Sequence, residues 1–283
     1  MRTRFAPSPT GLLHLGHAWS ATVAARLASE ARGTFLLRIE DTDTARCRPQ
    51  FEAAIYEDLS WLGLSWPTPA RRQSDHRDDI LSSAERLAER GLLYPCSCTR
   101  RDVINAGATV GVEGYVYPGT CRGRHIADRK PGDALRLDLR KAMTNAQPLT
   151  FTETGPLHPG THAVDQAMLI EGHGDPVLVR KGTGDPAYHL AVVHDDAAQS
   201  ITHVVRGADL WFATTLHRLL QFLLSLHEPT YHHHALVLDT HGKRLSKTDA
   251  ARAIRSYRDA GYSAEEVIGL AGAGTSAPSV TAV

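Results

Sequence analysis

Residues 4–18 read RFAPSPTGLLHLGHA. A short strand over Arg2–Ala6 is expected to break at Pro7 and Pro9. From about Leu15 the spacing turns helical, with Trp19, Val23, Ala24 and Leu27 on one face and Gly33 as the stop. The order strand, Gly/Pro turn, helix puts exposed backbone N–H groups and the positive end of a helix dipole at one point, which suits phosphate. His14 and His17 are three apart and share a helix face there, where imidazoles can donate to phosphate oxygens, and Gly16 between them permits close approach to the backbone. On spacing alone a solvated or capping pair is the better reading, and neither the P-loop nor the G-x-G-x-x-G spacing is present.

Working outward, TFLLRIE (34–40) reads as a buried strand ending in the acidic turn Asp41–Asp43. FEAAIYEDLSWLGL (51–64) repeats Phe51, Ile55, Leu59 and Leu62 at a helical period, and a third helix covers Arg77–Arg90 up to Gly91. Strand, helix, strand, helix, helix opens a doubly wound α/β domain with a Rossmann-like parallel sheet. From Tyr94 to Lys130 periodicity is lost among glycines and three cysteines, which marks an insertion. ALRLDLR (134–140) alternates as a strand with Leu135, Leu137 and Leu139 on one face. DPVLVRK (175–181) and AVVHDD (191–196) are read as further strands, and Trp211–Leu226 as an apolar helix. HALVLD (234–239) is read as a strand led into by His232–His234, an ordinary run and not a metal tract. A last helix over Ala250–Asp259 and a disordered tail over 271–283 complete the expectation.

Composition bounds the function. The 283 residues carry 31 basic and 31 acidic side chains, so any nucleic acid must be met by a local patch. Arg71, Arg72, Arg100, Arg101, Arg122 and Arg124 are available for that, with no cluster standing out. The 16 histidines add positive charge as the pH falls through the mid-sixes. No apolar run is long enough to span a bilayer and the start lacks a secretory h-region, so a cytoplasmic protein with no membrane partner is expected. In a reducing compartment Cys96, Cys98 and Cys121 suggest a metal before a disulfide, with Cys47 a bystander. Three thiolates need a fourth Zn²⁺ ligand, for which Asp102, Tyr115, Tyr117 and His125 are open.

KRLSKTD at 243–249 places basic residues around a serine on a loop before the last helix, and alone it reads as a solvated turn. Paired with HLGH at 14–17, however, RLSKT at 244–248 resembles the two signatures of class I aminoacyl-tRNA synthetases. RFAPSPTGLLHLGHA followed by LLRIEDTD is similar to the glutamyl- and glutaminyl-tRNA synthetase branch, over roughly residues 2–258. The resemblance implies ATP binding by His14, Gly16, His17, Arg244, Ser246 and Lys247, with His14, His17 and Lys247 catalytic. Arg244 stands where the signature usually has lysine, which keeps the charge in a different geometry. It further implies a glutamate pocket of Arg4, Phe5, Ala6, Pro7, Ser8, Glu40, Tyr188 and Arg206, in which Arg4 meets the side-chain carboxylate and Glu40 the ammonium. On that reading Arg4→Ala abolishes glutamate activation and leaves the fold intact. Of the zinc alternatives the resemblance favours Cys96, Cys98, Tyr117 and Cys121, one structural ion per chain, although the glycine-rich stretch between Cys98 and Tyr117 is longer here than in the family pattern.

About 35 residues follow Lys247, so no anticodon-binding domain is expected. That brevity resembles the glutamyl-queuosine tRNA(Asp) synthetases. The family's activity is then implied: ATP, as its Mg²⁺ complex, and L-glutamate form glutamyl-adenylate without tRNA. The glutamyl group is passed to the queuosine base in the anticodon loop of tRNA(Asp), by a monomer. The alternatives are a glutamyl-tRNA synthetase fragment charging tRNA(Glu) or a non-catalytic synthetase-like module, and the retained His14, His17 and Lys247 speak against the latter. The expected layout is a first catalytic half at 1–93 and a zinc insertion at 94–130 inside a subdomain reaching about 185. A second catalytic half at 186–240 and the loop and helix at 241–262 follow.

Overall fold

The computed structural model describes residues 1–144, 146, 148–238 and 253–273. Strand β1 (Arg2–Phe5) leads through the Pro/Gly turn into helix α1 (Leu15–Glu30), and β2 (Thr34–Ile39) returns parallel to β1, with Arg4 opposite Leu36. Small residues let α1 lie close on the sheet: Ala18, Ala21, Ala24 and Ala28 are buried, while Trp19 and Leu27 cover the margin half-buried. Helix α2 (Pro49–Trp61) starts on a proline, where a missing N–H costs nothing. The two-residue β3 (Arg71–Arg72) adds to β2 in parallel, and α3 (Arg77–Glu89) follows.

The middle of the chain builds a separate antiparallel sheet. β4 (Leu93–Cys96) pairs with β7 (Ala134–Leu137), and between them lie α4 (Arg100–Asn105) and a hairpin of β5 (Val110–Gly111) and β6 (Gly114–Tyr115). After α5 (Leu139–Met143), β8 (Thr150–Glu153), β9 (Gly160–Ala163) and the short α6 (Gln166–Met168), strand β10 (Val177–Val179) joins the other side of β7. The parallel layer resumes with α7 (Tyr188–Ala198), β11 (His203–Gly207), α8 (Ala213–Leu223) and β12 (Thr230–His234). β12 lies parallel between β11 and β8. The Thr202 N–H donates to the Arg2 carbonyl at 3.0 Å, so β11 lies beside β1 and the strand order reverses there. α9 (Ile254–Asp259) and α10 (Ala264–Ala273) close the described chain, with α10 against α1.

Several expectations are corrected. AVVHDD is not a strand but the body of α7. Its β-branched run is buried against α3, α8 and the sheet, so it looks continuous rather than periodic, and Asp195 and Asp196 are carried inward with it. The strand at ALRLDLR stops at Leu137, and Leu139 opens α5. Helix α8 is shorter than Trp211–Leu226. The three histidines do not lead into a strand: they are its C-terminal half, with His233 and His234 buried. Residues 271–273 belong to α10 rather than to a tail, while 274–283 lie outside the described residues. Among the described residues no helix is long and apolar enough to cross a membrane.

One cluster ties α7 to the first half. Asp196 takes a bidentate contact from Arg4 at 2.9 and 3.1 Å and a bond from Arg38 at 2.7 Å. Asp195 takes Arg71 at 2.9 Å and Gln73 at 3.0 Å. The expectation that Arg4→Ala spares the fold is therefore revised, because Arg4 is buried in this cluster. Burial alone would raise the Asp196 carboxyl, but Arg4 and Arg38 outweigh it and hold it at about 2. The depressed value makes its contribution, about 2 kcal/mol, present above roughly pH 4 and lost as the pH falls towards 2. Asp196→Ala, which strands two buried guanidinium groups, is expected to cost about 3–5 kcal/mol in urea unfolding at pH 7. Asp196→Asn is expected to flatten the acid limb of the stability profile, and an unchanged limb would contradict the assignment.

Candidate active site

The turn that opens the sequence folds as a reciprocal cap. The Gly16 N–H donates to His14 Nδ1 at 3.1 Å and the His14 N–H to His17 Nδ1 at 3.1 Å. Because both Nδ1 atoms accept, each neutral ring carries its proton on Nε2 and presents a donor from that end. The two rings lie 3.8 Å apart between centroids. A Cβ on residue 16 would sit 3.1 Å from the His14 ring, which gives Gly16 a packing reason as well as an access one. The capping and phosphate-donor readings are thus compatible: the backbone uses one ring nitrogen and leaves the orientation of the other fixed.

The cleft opens outside the carboxyl ends of β1, β2 and β11, where the strand order reverses, as ligand sites in open α/β sheets do. One chamber of about 150 Å³ is lined by His14, Gly16, His17, Gly207, Asp209 and His234. A second, about 300 Å³, contains Arg4, Phe5, Ala6, Glu40, Tyr188 and Arg206. A third, about 370 Å³, adds Pro7 and Ser8 and shares Glu40, Tyr188 and His17. All the described residues expected to hold nucleotide or amino acid therefore meet in one cleft. Arg244, Ser246 and Lys247 lie outside the described residues. At the rim Asp43 takes Arg46 at 2.6 Å and Arg180 at 3.1 Å, joining the loop after β2 to the end of β10.

The buried arginines are not equivalent. Arg4 is held by Asp196 and the Val205 carbonyl, and Arg38 by Asp196 and Glu40. Arg206 instead donates to His233 Nε2 at 3.0 Å, His217 Nδ1 at 3.1 Å and Thr214 Oγ1 at 2.7 Å, all formally neutral acceptors. Burial and the Arg206 charge keep His217 well below its usual value, and burial brings His233 down to about 4. Among the described residues no carboxylate lies within ion-pair distance of Arg206, so the cleft wall carries a desolvated positive charge fit for an acidic ligand group. Burial pushes the Glu40 carboxyl up against the pull of Arg38 and Arg4. An incoming ammonium would supply compensating charge there.

Away from the cleft, the sulfur atoms of Cys96, Cys98 and Cys121 lie within 4.8 Å of one another. The Tyr117 hydroxyl is 3.4 Å from both Cys96 and Cys98 Sγ and accepts the Cys121 N–H at 2.9 Å. The other ligand alternatives are engaged elsewhere: Asp102 caps α4 through Thr99, His125 accepts the Ala127 N–H, and Tyr115 is exposed beneath Arg100. Cys47 lies apart, beside Asp41 and Glu52. Of the arginines held available for RNA, Arg71, Arg122 and Arg124 are turned onto Asp195, Asp175 and Asp133.

The family described as tRNA synthetases class I (E and Q), catalytic domain, matches residues 1–109 and 163–278. A Glutamyl-Q tRNA(Asp) synthetase of Rhodobacter capsulatus is 49% identical over 281 residues, covering 96% of this chain and 100% of that protein. The chain belongs to the glutamyl-Q tRNA(Asp) synthetase family, within the class I synthetases. A glutamate–tRNA ligase of a Synechococcus strain is 35% identical over 94% of this chain, which spans 56% of that ligase. The crystal structure of a glutamate tRNA ligase from Elizabethkingia meningosepticum, in complex with its amino acid, superposes with a TM-score of 0.75 at 28% identity. It is matched over 96% of this chain and 60% of its own. Members of this family are ligases, and the cleft described here lies in the matched catalytic domain.

Sequence reasoning missed the partners behind the site. Asp195 and Asp196 were hidden by the strand reading of α7, and His233 by the reading of the histidine run as featureless. His217 and Glu153 stand in segments without a motif. The one available signal was chemical: a histidine run ending in buried strand positions demands partners. His14→Ala removes a side-chain cap and is expected to cost about 1 kcal/mol in chemical denaturation. An unaltered unfolding midpoint would show that the ring does not hold the turn.

Proposed function

We propose that the protein activates L-glutamate with ATP, without tRNA, and transfers the glutamyl group to the queuosine base of tRNA(Asp). Arg206 is the observation that carries the amino-acid part: a buried arginine without a carboxylate partner among the described residues faces a cleft that also holds Glu40 and Tyr188. An acidic side chain would meet Arg206, within reach of the Tyr188 hydroxyl, and the substrate ammonium would meet Glu40. The carboxylate anchor is thereby moved from Arg4, whose fork is occupied by Asp196, to Arg206. Arg4 forms the wall behind it. The α-carboxylate oxygen attacks the α-phosphorus of ATP, the new P–O bond forms as the bond to the bridging oxygen breaks, and pyrophosphate leaves. His14 and His17, with Arg244, Ser246 and Lys247, are assigned to the phosphates, where fixed donors stabilise the charge that builds up. ATP enters as its Mg²⁺ complex. The likeness at 49% identity supports glutamyl-queuosine tRNA(Asp) as the product.

Three thiols and a phenol oxygen converging at the head of the insertion fit a tetrahedral Zn²⁺. Cys96, Cys98, Cys121 and Tyr117 would hold it. The ion would brace α4 and the β5–β6 hairpin against β4 and β7.

Incubation with ATP, labelled glutamate and tRNA(Asp) is expected to label only queuosine-bearing tRNA. Labelling of tRNA(Glu) would overturn the nucleic-acid assignment, and absence of glutamate-dependent pyrophosphate exchange would overturn the enzymatic one. Arg206→Gln removes the cleft charge and is expected to weaken glutamate at least about tenfold while leaving the ATP KM unchanged. Elemental analysis is expected to find about one zinc per chain, lost in Cys98→Ser together with thermal stability.

A further inference from the structure

Arg206 is joined to the insertion by a line of side-chain contacts, two hydrogen bonds through imidazole rings and a closing contact between an imidazole and a carboxylate. Its Nη1 meets His217 Nδ1 at 3.1 Å, His217 Nε2 meets His189 Nδ1 at 3.1 Å, and His189 Nε2 meets Glu113 Oε2 at 3.1 Å. The guanidinium can only donate, and the ionised carboxylate can only accept. Those two ends fix every proton between them: His217 carries its proton on Nε2 and His189 on Nε2. On the opposite side Arg206 donates to His233 Nε2, and His233 Nδ1 meets Glu153 Oε2 at 2.6 Å, in the same polarity. Arg206 therefore sits between two imidazole acceptors, each backed by a carboxylate at one or two removes.

The two carboxylates differ in where they come from. Glu153 is fully buried at the end of β8, and its corner is set by Gly155, where a Cβ would fall 2.3 Å from the His233 carbonyl. Glu113 stands on the two-residue turn of the β5–β6 hairpin, inside the glycine-rich stretch between Cys98 and Tyr117. The hairpin is pressed onto the helical turn Leu169–His173 before β10: the Val112 N–H donates to the Gly172 carbonyl at 3.1 Å, and a Cβ on Gly111 would fall 2.1 Å from the same oxygen. Glu113 also takes His173 Nδ1 at 3.2 Å, and His173 Nε2 lies 3.0 Å from the Phe212 carbonyl at the start of α8. The hairpin turn thus grips the helix that carries His217 and Thr214, both ligands of Arg206.

We propose that Glu113 is a positioning residue for Arg206, setting through His189 and His217 the orientation in which that arginine receives the substrate carboxylate. Without the carboxylate, the His189 Nε2–H loses its acceptor and only the Arg206 end still holds the protons in this order. In the other tautomer its Nδ1–H faces the His217 Nε2–H, donor against donor. His217 then moves its proton to Nδ1, and Arg206 loses an acceptor. The insertion is in this way coupled to amino-acid binding without touching the amino acid.

The role rests on the proposed glutamate site, and two readouts separate the two claims. The ¹⁵N shifts of His217 in the full-length protein report which ring nitrogen accepts, independently of any activity. Wild type is expected to show an unprotonated Nδ1, and Glu113→Ala a mixed or reversed tautomer. In pyrophosphate exchange Glu113→Ala is expected to raise the glutamate KM about tenfold, with the ATP KM unchanged and kcat altered less than KM. Glu113→Gln, whose amide oxygen still accepts from His189, is expected to restore most of the loss. An unchanged His217 tautomer overturns the proposal. So does an unchanged glutamate KM in Glu113→Ala, or a parallel rise of both KM values with a lower melting temperature. Wild type lacking glutamate-dependent exchange would refute the activity, while the tautomer measurement would still decide the relay.

Discussion

Helix α7 places two consecutive carboxylates, Asp195 and Asp196, under the parallel sheet, and arginines from three neighbouring strands close on them. Arg4 comes from β1, Arg38 from β2 and Arg71 from β3. None of these charges could be buried alone, since an unpaired guanidinium in the interior costs far more than a hydrogen bond returns. The strands can thus be stacked in this order only with α7 seated in this place. Because Tyr188 is the first residue of α7 and Glu40 directly follows β2, the same ion pairs also fix the distance between the walls of the cleft.

Against that neutralised floor, the environment of Arg206 is distinctive. Histidines and a threonine satisfy its N–H groups without cancelling its charge, whereas Asp196 does both for Arg4. Burial keeps the two histidines uncharged, so they act as acceptors rather than as competing cations. A protein that must bind an acidic side chain and an ammonium in one small space needs one wall left positive and another left negative. In the proposed glutamate site Arg206 would meet the acidic side chain and Glu40, which also takes Arg38, the ammonium; both line the chamber that holds Tyr188.

The first ninety residues were legible because their periodicities were clean: a strand broken by prolines, a helix ended by glycine, two amphipathic helices. The capping pair of histidines was legible through its position at a helix start, and the convergence of the three cysteines through their spacing. What stayed hidden lay in segments buried on several sides. In AVVHDD the hydrophobic pattern has no exposed face to set a period, and its aspartates looked like a polar boundary when they are interior ion-pair partners. His232–His234, read as an ordinary strand entry, are themselves strand, and the carboxylate opposite them is not visible in the local pattern. That carboxylate, Glu153, lies eighty residues away and is brought there by the sheet.

The rim of the cleft obeys a different rule from its floor. Asp43 and its two arginines are open to solvent, with Arg46 71% and Arg180 30% exposed. At physiological ionic strength the screening length is about 8 Å, so such pairs loosen as salt rises while buried ones hardly respond. The tie between the loop after β2 and the end of β10 is therefore tuned by the medium, and the arginine–aspartate cluster beneath it is not. Ionic strength reaches the doorway of this protein and stops short of its foundations.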